Sequence, residues 1–154
     1  MLIKACHHHG FTVSDLERSV EFYRDVLGLE LIRVSERSNL PSYDHLLGFE
    51  DVKLKVALLR IPASDFLLEL FEYVNPPNIM RELNNNFVGA SHVAFEVEDL
   101  DGIYDAICAA GYSSIAPPID IVRDGPPVAR GIYALDPDGI SIEMFQAYED
   151  VVKD

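Results

Sequence analysis

Basic residues are scarce in this chain. Twelve lysines and arginines stand against 26 aspartates and glutamates, a formal charge of −14 over 154 residues. Nucleic-acid binders need clustered cationic side chains to displace counterions from phosphates, so the composition argues against such a partner. The acidic surplus favours solubility instead. Cysteine is scarce too. Cys6 and Cys108 are too few for a disulfide framework, and both are read as reduced thiols acting as small apolar core residues. No apolar run is long enough to cross a bilayer. The opening "MLIKACHHHG" breaks off before any apolar core of a signal peptide. A cytoplasmic protein without a membrane partner is expected.

What is present is globular composition, 49% hydrophobic and 25% charged, in a chain of single-domain size. The chain also repeats itself. "HHGFTVSDL" from His8 aligns with "HVAFEVEDL" from His92, 84 residues later, with five identities in nine positions. His8 meets His92, Phe11 meets Phe95, Val13 meets Val97, Asp15 meets Asp99 and Leu16 meets Leu100. Past that stretch one residue of the first copy must be gapped before Gly28 meets Gly111. Such self-similarity marks a duplicated unit.

Each copy reads as a strand and then a helix. Phe11 and Val13 alternate with Gly10 and Thr12, the period of a half-buried strand. "SDLE" from Ser14 to Glu17 has the spacing of a capping box. Leu16, Val20, Tyr23 and Leu27 follow at helical spacing, and Gly28 is a natural stop. In the second copy Asp99 is the cap, Leu100, Ile103, Tyr104 and Ile107 form the stripe, and Gly111 ends the helix. Three strand-like segments follow each helix: "LELIRVS", "KVALLRI" and "FLLELFEYV", then "GYSSI", "RGIYAL" and "GISIEMFQAY". The pattern is β-α-β-β-β twice, with module one about 1–75, a linker over 76–89 that includes a short helical turn, and module two about 90–148. "DPDG" from Asp136 marks a tight turn. The final strands share Glu-x-Phe, at Glu69 with Phe71 and Glu143 with Phe145. Their offset is ten residues shorter than that of the first strands, so module one carries a longer loop around "SERSNLPSYDHLLGFED".

Glu69 and Glu143 sit in otherwise apolar strands. A carboxylate there costs free energy unless it is paired, edge-exposed or bound to a cation. One such Glu, or one lone His, would be unremarkable. The duplication presents the pair twice, His on the first strand and Glu on the last. Two imidazoles and two carboxylates suit a divalent transition metal, and six-coordination would leave two positions for water or substrate. Parity supports a shared face. His8, Gly10 and Thr12 lie on one side of their strand, with His9, Phe11 and Val13 towards the helix. His7 and His9 then point away from His8, leaving one candidate ligand in "HHH".

"HHGFTVSDLERSVEFYRDVLGLEL", "LLELFEY", "SHVAFEVED" and "LDPDGISIEMF" resemble the landmark stretches of the vicinal oxygen chelate superfamily. That group includes glyoxalase I, methylmalonyl-CoA epimerase, extradiol dioxygenases and the fosfomycin and bleomycin resistance proteins. The resemblance covers nearly the whole chain. It implies an α+β fold of two tandem βαβββ modules, forming a curled, mostly antiparallel sheet around a metal cup. Carried over by motif, the implied ligands are His8, Glu69, His92 and Glu143, on one divalent ion such as nickel, cobalt, zinc, manganese or iron. The resemblance also implies a small-molecule substrate with two neighbouring oxygens, and a homodimer.

The His-Glu-His-Glu order is that of bacterial glyoxalase I. It implies a lyase or isomerase that moves a proton next to a carbonyl through a metal-chelated enediolate. By the same resemblance Glu143 is the best catalytic base, and Glu69 is a second catalytic residue that serves the opposite face. Thr12 stands where glyoxalase I has an Arg for glutathione, and Tyr73 where it has an Asn, so other oxygen-rich acids or thioesters enter as substrates. An extradiol-type iron dioxygenase would need only His8, His92 and Glu143, and a drug-sequestering protein would need no ligands at all. Thr12, Phe71, Tyr73, Glu96, Arg130 and Phe145 are candidates for the substrate pocket. Tyr43 and His45 in the longer loop are candidates for a lid against a solvated loop, and Arg123 for an anion contact against surface pairing.

Overall fold

Alternation at Phe11 and Val13 produces the expected strand, β1 (His8–Thr12), with Phe11 buried and Thr12 exposed. The structure, a computed structural model, describes residues 2–62 and 64–148. The chain divides into two units, Met1–Arg81 and Glu82–Asp154, and each carries one copy of the repeat.

In the first unit β1 is followed by α1 (Leu16–Glu21), a π-helical turn (Phe22–Val26), β2 (Glu30–Arg37), α2 (Pro41–Leu47), β3 (Lys53–Arg60) and β4 (Leu67–Asn75). The sheet order is β1-β4-β3-β2, with β1 parallel to β4 and the other pairs antiparallel. The second unit has β5 (Val93–Glu96), α3 (Leu100–Ala109), β6 (Ser113–Ser114), β7 (Ile119–Val122), β8 (Pro127–Leu135) and β9 (Ser141–Ala147). Its order is β5-β9-β8, again with the first pair parallel, and β6 and β7 both pair with β8. The α+β class and the paired plan are thus present, with one mixed sheet per module. β6 and β7 lie end to end on β8 as one interrupted strand, which keeps the second module βαβββ.

The helices follow the repeat more closely than they follow the capping-box motif. Asp15, not Ser14, caps α1, its carboxylate accepting from the Arg18 amide at 3.0 Å. Asp99 caps α3 in the same way through the Gly102 amide at 2.9 Å. Ser14 instead accepts a bond from the Arg18 guanidinium. The gapped residue of the first copy also has a physical home. A π turn winds one more residue into each turn than an α-helix does, and it lets Phe22 and Tyr23 both reach the core. Gly28 and Gly111 then stop the two helices with φ of 78° and 84°, a region that disfavours residues with a Cβ.

Each helix packs on one face of its own sheet. Leu16, Val20 and Tyr23 are buried along with Leu59, Leu68 and Leu70 where α1 packs on β3 and β4, and Leu100 and Ile107 along with Ile132, Ile142 and Met144 where α3 packs on β8 and β9. The last strand also reaches up to the start of the helix. Glu72 Oε2 accepts from the Leu16 amide at 2.9 Å, and Gln146 Oε1 accepts from the Leu100 amide at 3.2 Å. Helix-terminal amides lack partners within the helix, so these side chains fix how it docks.

Other expectations are corrected. Cys6 and Cys108 are free but exposed, and neither is a core residue: Cys6 precedes β1, and Cys108 lies on the outer side of α3. The linker forms turns, with no helical segment between β4 and β5. The longer loop of module one holds α2, whose Tyr43 and Leu47 pack against Val52, Leu54 and Val56. "DPDG" turns as expected, with Asp136 Oδ1 accepting from the amides of Asp138 and Ile140. Among the described residues no helix is long and apolar enough to cross a membrane.

Candidate active site

Parallel pairing of first and last strands brings each His to its Glu. In the first unit Gly10 lies beside Glu69 in register. His8, two residues earlier on the same face, sets its Nε2 3.3 Å from Glu69 Oε2. In the second unit Ala94 lies beside Glu143, and His92, just ahead of β5, sets its Nε2 3.2 Å from Glu143 Oε2. The small residue opposite each carboxylate leaves room for the imidazole to reach it. Phe71 lies so close over Gly10 that a Cβ there would stand 3.2 Å from its ring. The His side chains are 40% and 47% exposed and the Glu side chains 18% and 23%, so each pair opens outward from a partly desolvated carboxylate.

These separations suit a shared cation. Donors about 2.1 Å from one metal ion stand roughly 3.0–3.4 Å apart between right-angle and tetrahedral geometry. The donor types suit it too, one imidazole nitrogen and one carboxylate oxygen per unit. Among the described residues no three or more His, Cys, Asp or Glu side chains are gathered into a metal-holding group.

The two pairs have different surroundings. Across β3 from Glu69 stands Leu58, while across β8 from Glu143 stands Tyr133. The Tyr133 hydroxyl donates to Glu143 Oε2 at 3.1 Å, and its ring meets His92 edge-on at 5.4 Å. Burial and the facing Glu143 carboxylate raise the Tyr133 phenol above its ordinary value, which keeps it a donor. Sequence reasoning missed Tyr133, because its place depends on the β8–β9 register. His7 was missed as well. It precedes the strand, so alternation does not govern it, and its Nδ1 lies 2.8 Å from His8 Nδ1. That contact leaves His8 Nε2 turned towards Glu69.

The other candidates divide by face. Thr12, Phe71 and Tyr73 lie on the Glu69 side of the first sheet; Tyr73 packs with Leu54 and Val56 and meets Phe49 edge-on at 6.2 Å. Glu96 and Phe145 pair across β5 and β9 on the Glu143 side, as parity predicts. Arg130 does not join them. It pairs across from Gln146 on the helix side and binds Asp101 of α3 through two bonds of 2.6 and 2.9 Å. The reason is parity: Arg130 is three residues from Tyr133, an odd count along a strand. His45 is exposed and bonds the Pro41 carbonyl within its own helix. Tyr43 packs over the Glu69 side of the sheet, and Arg123 is exposed after β7.

The chain belongs to the Glyoxalase/Bleomycin resistance protein/Dioxygenase superfamily, whose sequence pattern matches residues 5–144. A 2-epi-5-epi-valiolone epimerase from Actinomyces sp. is 30% identical over 91% of this chain and 78% of its own length. A lactoylglutathione lyase from Haemophilus influenzae is 27% identical over 90% of both chains. A glyoxalase family protein from Bacillus cereus shares the fold, with a TM-score of 0.79 and 20% identity, over 96% of this chain and 98% of the other.

Proposed function

We propose that this protein is a divalent-metal-dependent lyase or isomerase that moves a proton on the carbon next to a substrate carbonyl. The observation that carries this is the His–Glu pair, built twice at a chelating separation. In this reading His8, Glu69, His92 and Glu143 hold one ion, of nickel, cobalt, zinc, manganese or iron. The ion supplies Lewis acidity, offsetting negative charge on two neighbouring substrate oxygens. The reading has a cytoplasmic homodimer acting on a small molecule. An epimerase and a lyase among the relatives agree with it, since both reaction types suit removal and return of such a proton.

The chain's own residues take distinct parts. Glu143 is the base. Its Oε2 already carries the Tyr133 hydrogen bond, which orients the carboxylate. Glu69 faces Leu58 where Glu143 faces Tyr133, and it serves the opposite face as the second catalytic carboxylate as well as a ligand. An iron dioxygenase would use His8, His92 and a single carboxylate, and it leaves Glu69 unexplained.

Deuterium uptake from D2O tests the step without knowledge of the product. Hemithioacetals, acyl-CoA thioesters and polyhydroxy ketones are offered to metal-loaded protein and followed by NMR. At least one class should exchange at the carbon next to its carbonyl, and Glu143→Gln should slow that exchange about a hundredfold or more. Exchange that proceeds unchanged in Glu143→Gln would remove the base from the account.

A further inference from the structure

The edge strand of the second unit is broken between β6 and β7. Between the pairs Ser114–Ala134 and Ile119–Gly131, residues 115–118 on the edge face only 132–133 on β8. The two surplus residues fall within Ala116-Pro117-Pro118, and prolines cannot donate to the ladder. Ser114 Oγ donates to the Ala116 carbonyl at 2.7 Å and pins the bulge. Bulges of this kind commonly stand beside active sites.

Beneath it lies a pocket of about 220 Å³, with Ile115, Ile119, Ile121 and Gly131 around it and Tyr133 and Glu143 at one wall. Gly131 keeps the floor open, because a Cβ there would stand 3.2 Å from Ile121 Cδ1 and 3.3 Å from the Met144 carbonyl. Glu143 and the Tyr133 hydroxyl apart, the side chains around it are hydrocarbon. The neighbouring Arg130 is held on the other face by Asp101. Ile115 and Ile119 are large apolar side chains left more than half exposed at its rim. In module one the matching face is packed instead, with Tyr43 and Leu47 of α2 against Val52, Leu54 and Val56.

We infer that this pocket takes an apolar substituent of the substrate, an alkyl or aryl group carried beside the carbon that Glu143 deprotonates. At roughly 30 Å³ per water-sized group the space holds about seven heavy atoms. The inference rests on the proton-transfer reading and narrows it to substrates with a hydrocarbon arm rather than a carboxylated one.

Calorimetry on the full-length, cobalt-loaded protein tests it with three hydroxamates that offer the same pair of oxygens: acetohydroxamate, hexanohydroxamate and succinyl monohydroxamate. Each buried methylene is worth roughly fourfold in affinity, so hexanohydroxamate should bind about tenfold or more tighter than acetohydroxamate. The succinyl compound should gain nothing over acetohydroxamate. Ile119→Glu, a rim change in an exposed side chain, should collapse the hexano-to-aceto ratio towards one. Ile119→Lys should shift preference to the succinyl arm. Equal, metal-dependent binding of acetohydroxamate and hexanohydroxamate overturns the pocket while leaving the proton-transfer reading standing, as does a ratio that survives both variants. Failure of every hydroxamate to bind the cobalt-loaded protein defeats the proton-transfer reading, and the pocket with it.

Discussion

Tyr133 shows what a single hydroxyl can add to a duplicated site. The repeat supplies two equal carboxylates, and one of them receives a phenolic hydrogen bond that the other, facing Leu58, does not. If that bond steadies Glu143 for proton transfer, Tyr133→Phe should slow deuterium exchange about tenfold, the worth of one such bond. Metal affinity should fall less than it does in His92→Ala. Equal losses in both measurements would instead make Tyr133 a support of the metal pair alone. At this scale His8, Glu69, His92 and Glu143 were legible because each has a twin in sequence. Tyr133 has no twin, and its partner is set by a register that no local pattern reveals. Arg130 was misplaced for a related reason: its charge drew attention, while its strand parity puts it on the helix side with Asp101.

Elements carry the next layer, and the last strand of each module does two jobs. Its Glu bears the site, and three residues on a Glu or Gln holds the first amide of the helix. Gln146→Leu leaves the Leu100 amide without that acceptor. It should cost roughly 1–3 kcal/mol in urea denaturation, whereas Gln146→Glu should cost less because an acceptor remains. The Arg130–Asp101 bridge ties β8 to the same helix. Its hydrogen bond to Arg130 holds the Asp101 carboxyl below its ordinary value. A carboxyl depressed by folding contributes stability above its unfolded value, and that contribution is lost as pH falls through the lower folded one. Asp101→Asn should therefore flatten part of the acid limb of a stability–pH profile and leave its neutral shape alone. The strand–helix order was readable from alternation and from the repeat. The π turn and the interrupted β6–β7 strand were not, although each left a trace: one gapped residue in the alignment, and Pro117-Pro118.

For the whole molecule, scarcity of positive charge and duplication of the His–Glu pair point the same way. A chain with a formal charge of −14 is suited to attract a cation. Among the described residues no three such ligands are gathered into one group, and one ion held by both pairs is the proposal that needs a direct measurement. Metal titration of the full-length protein, with His8→Ala, Glu69→Gln, His92→Ala and Glu143→Gln beside it, measures that directly. One divalent ion should bind per chain, with affinity lowered by at least about tenfold in all four variants, since even outer partners of a metal ligand cost that much. Two independent ions per chain, or an affinity that depends on one pair and ignores the other, would contradict it.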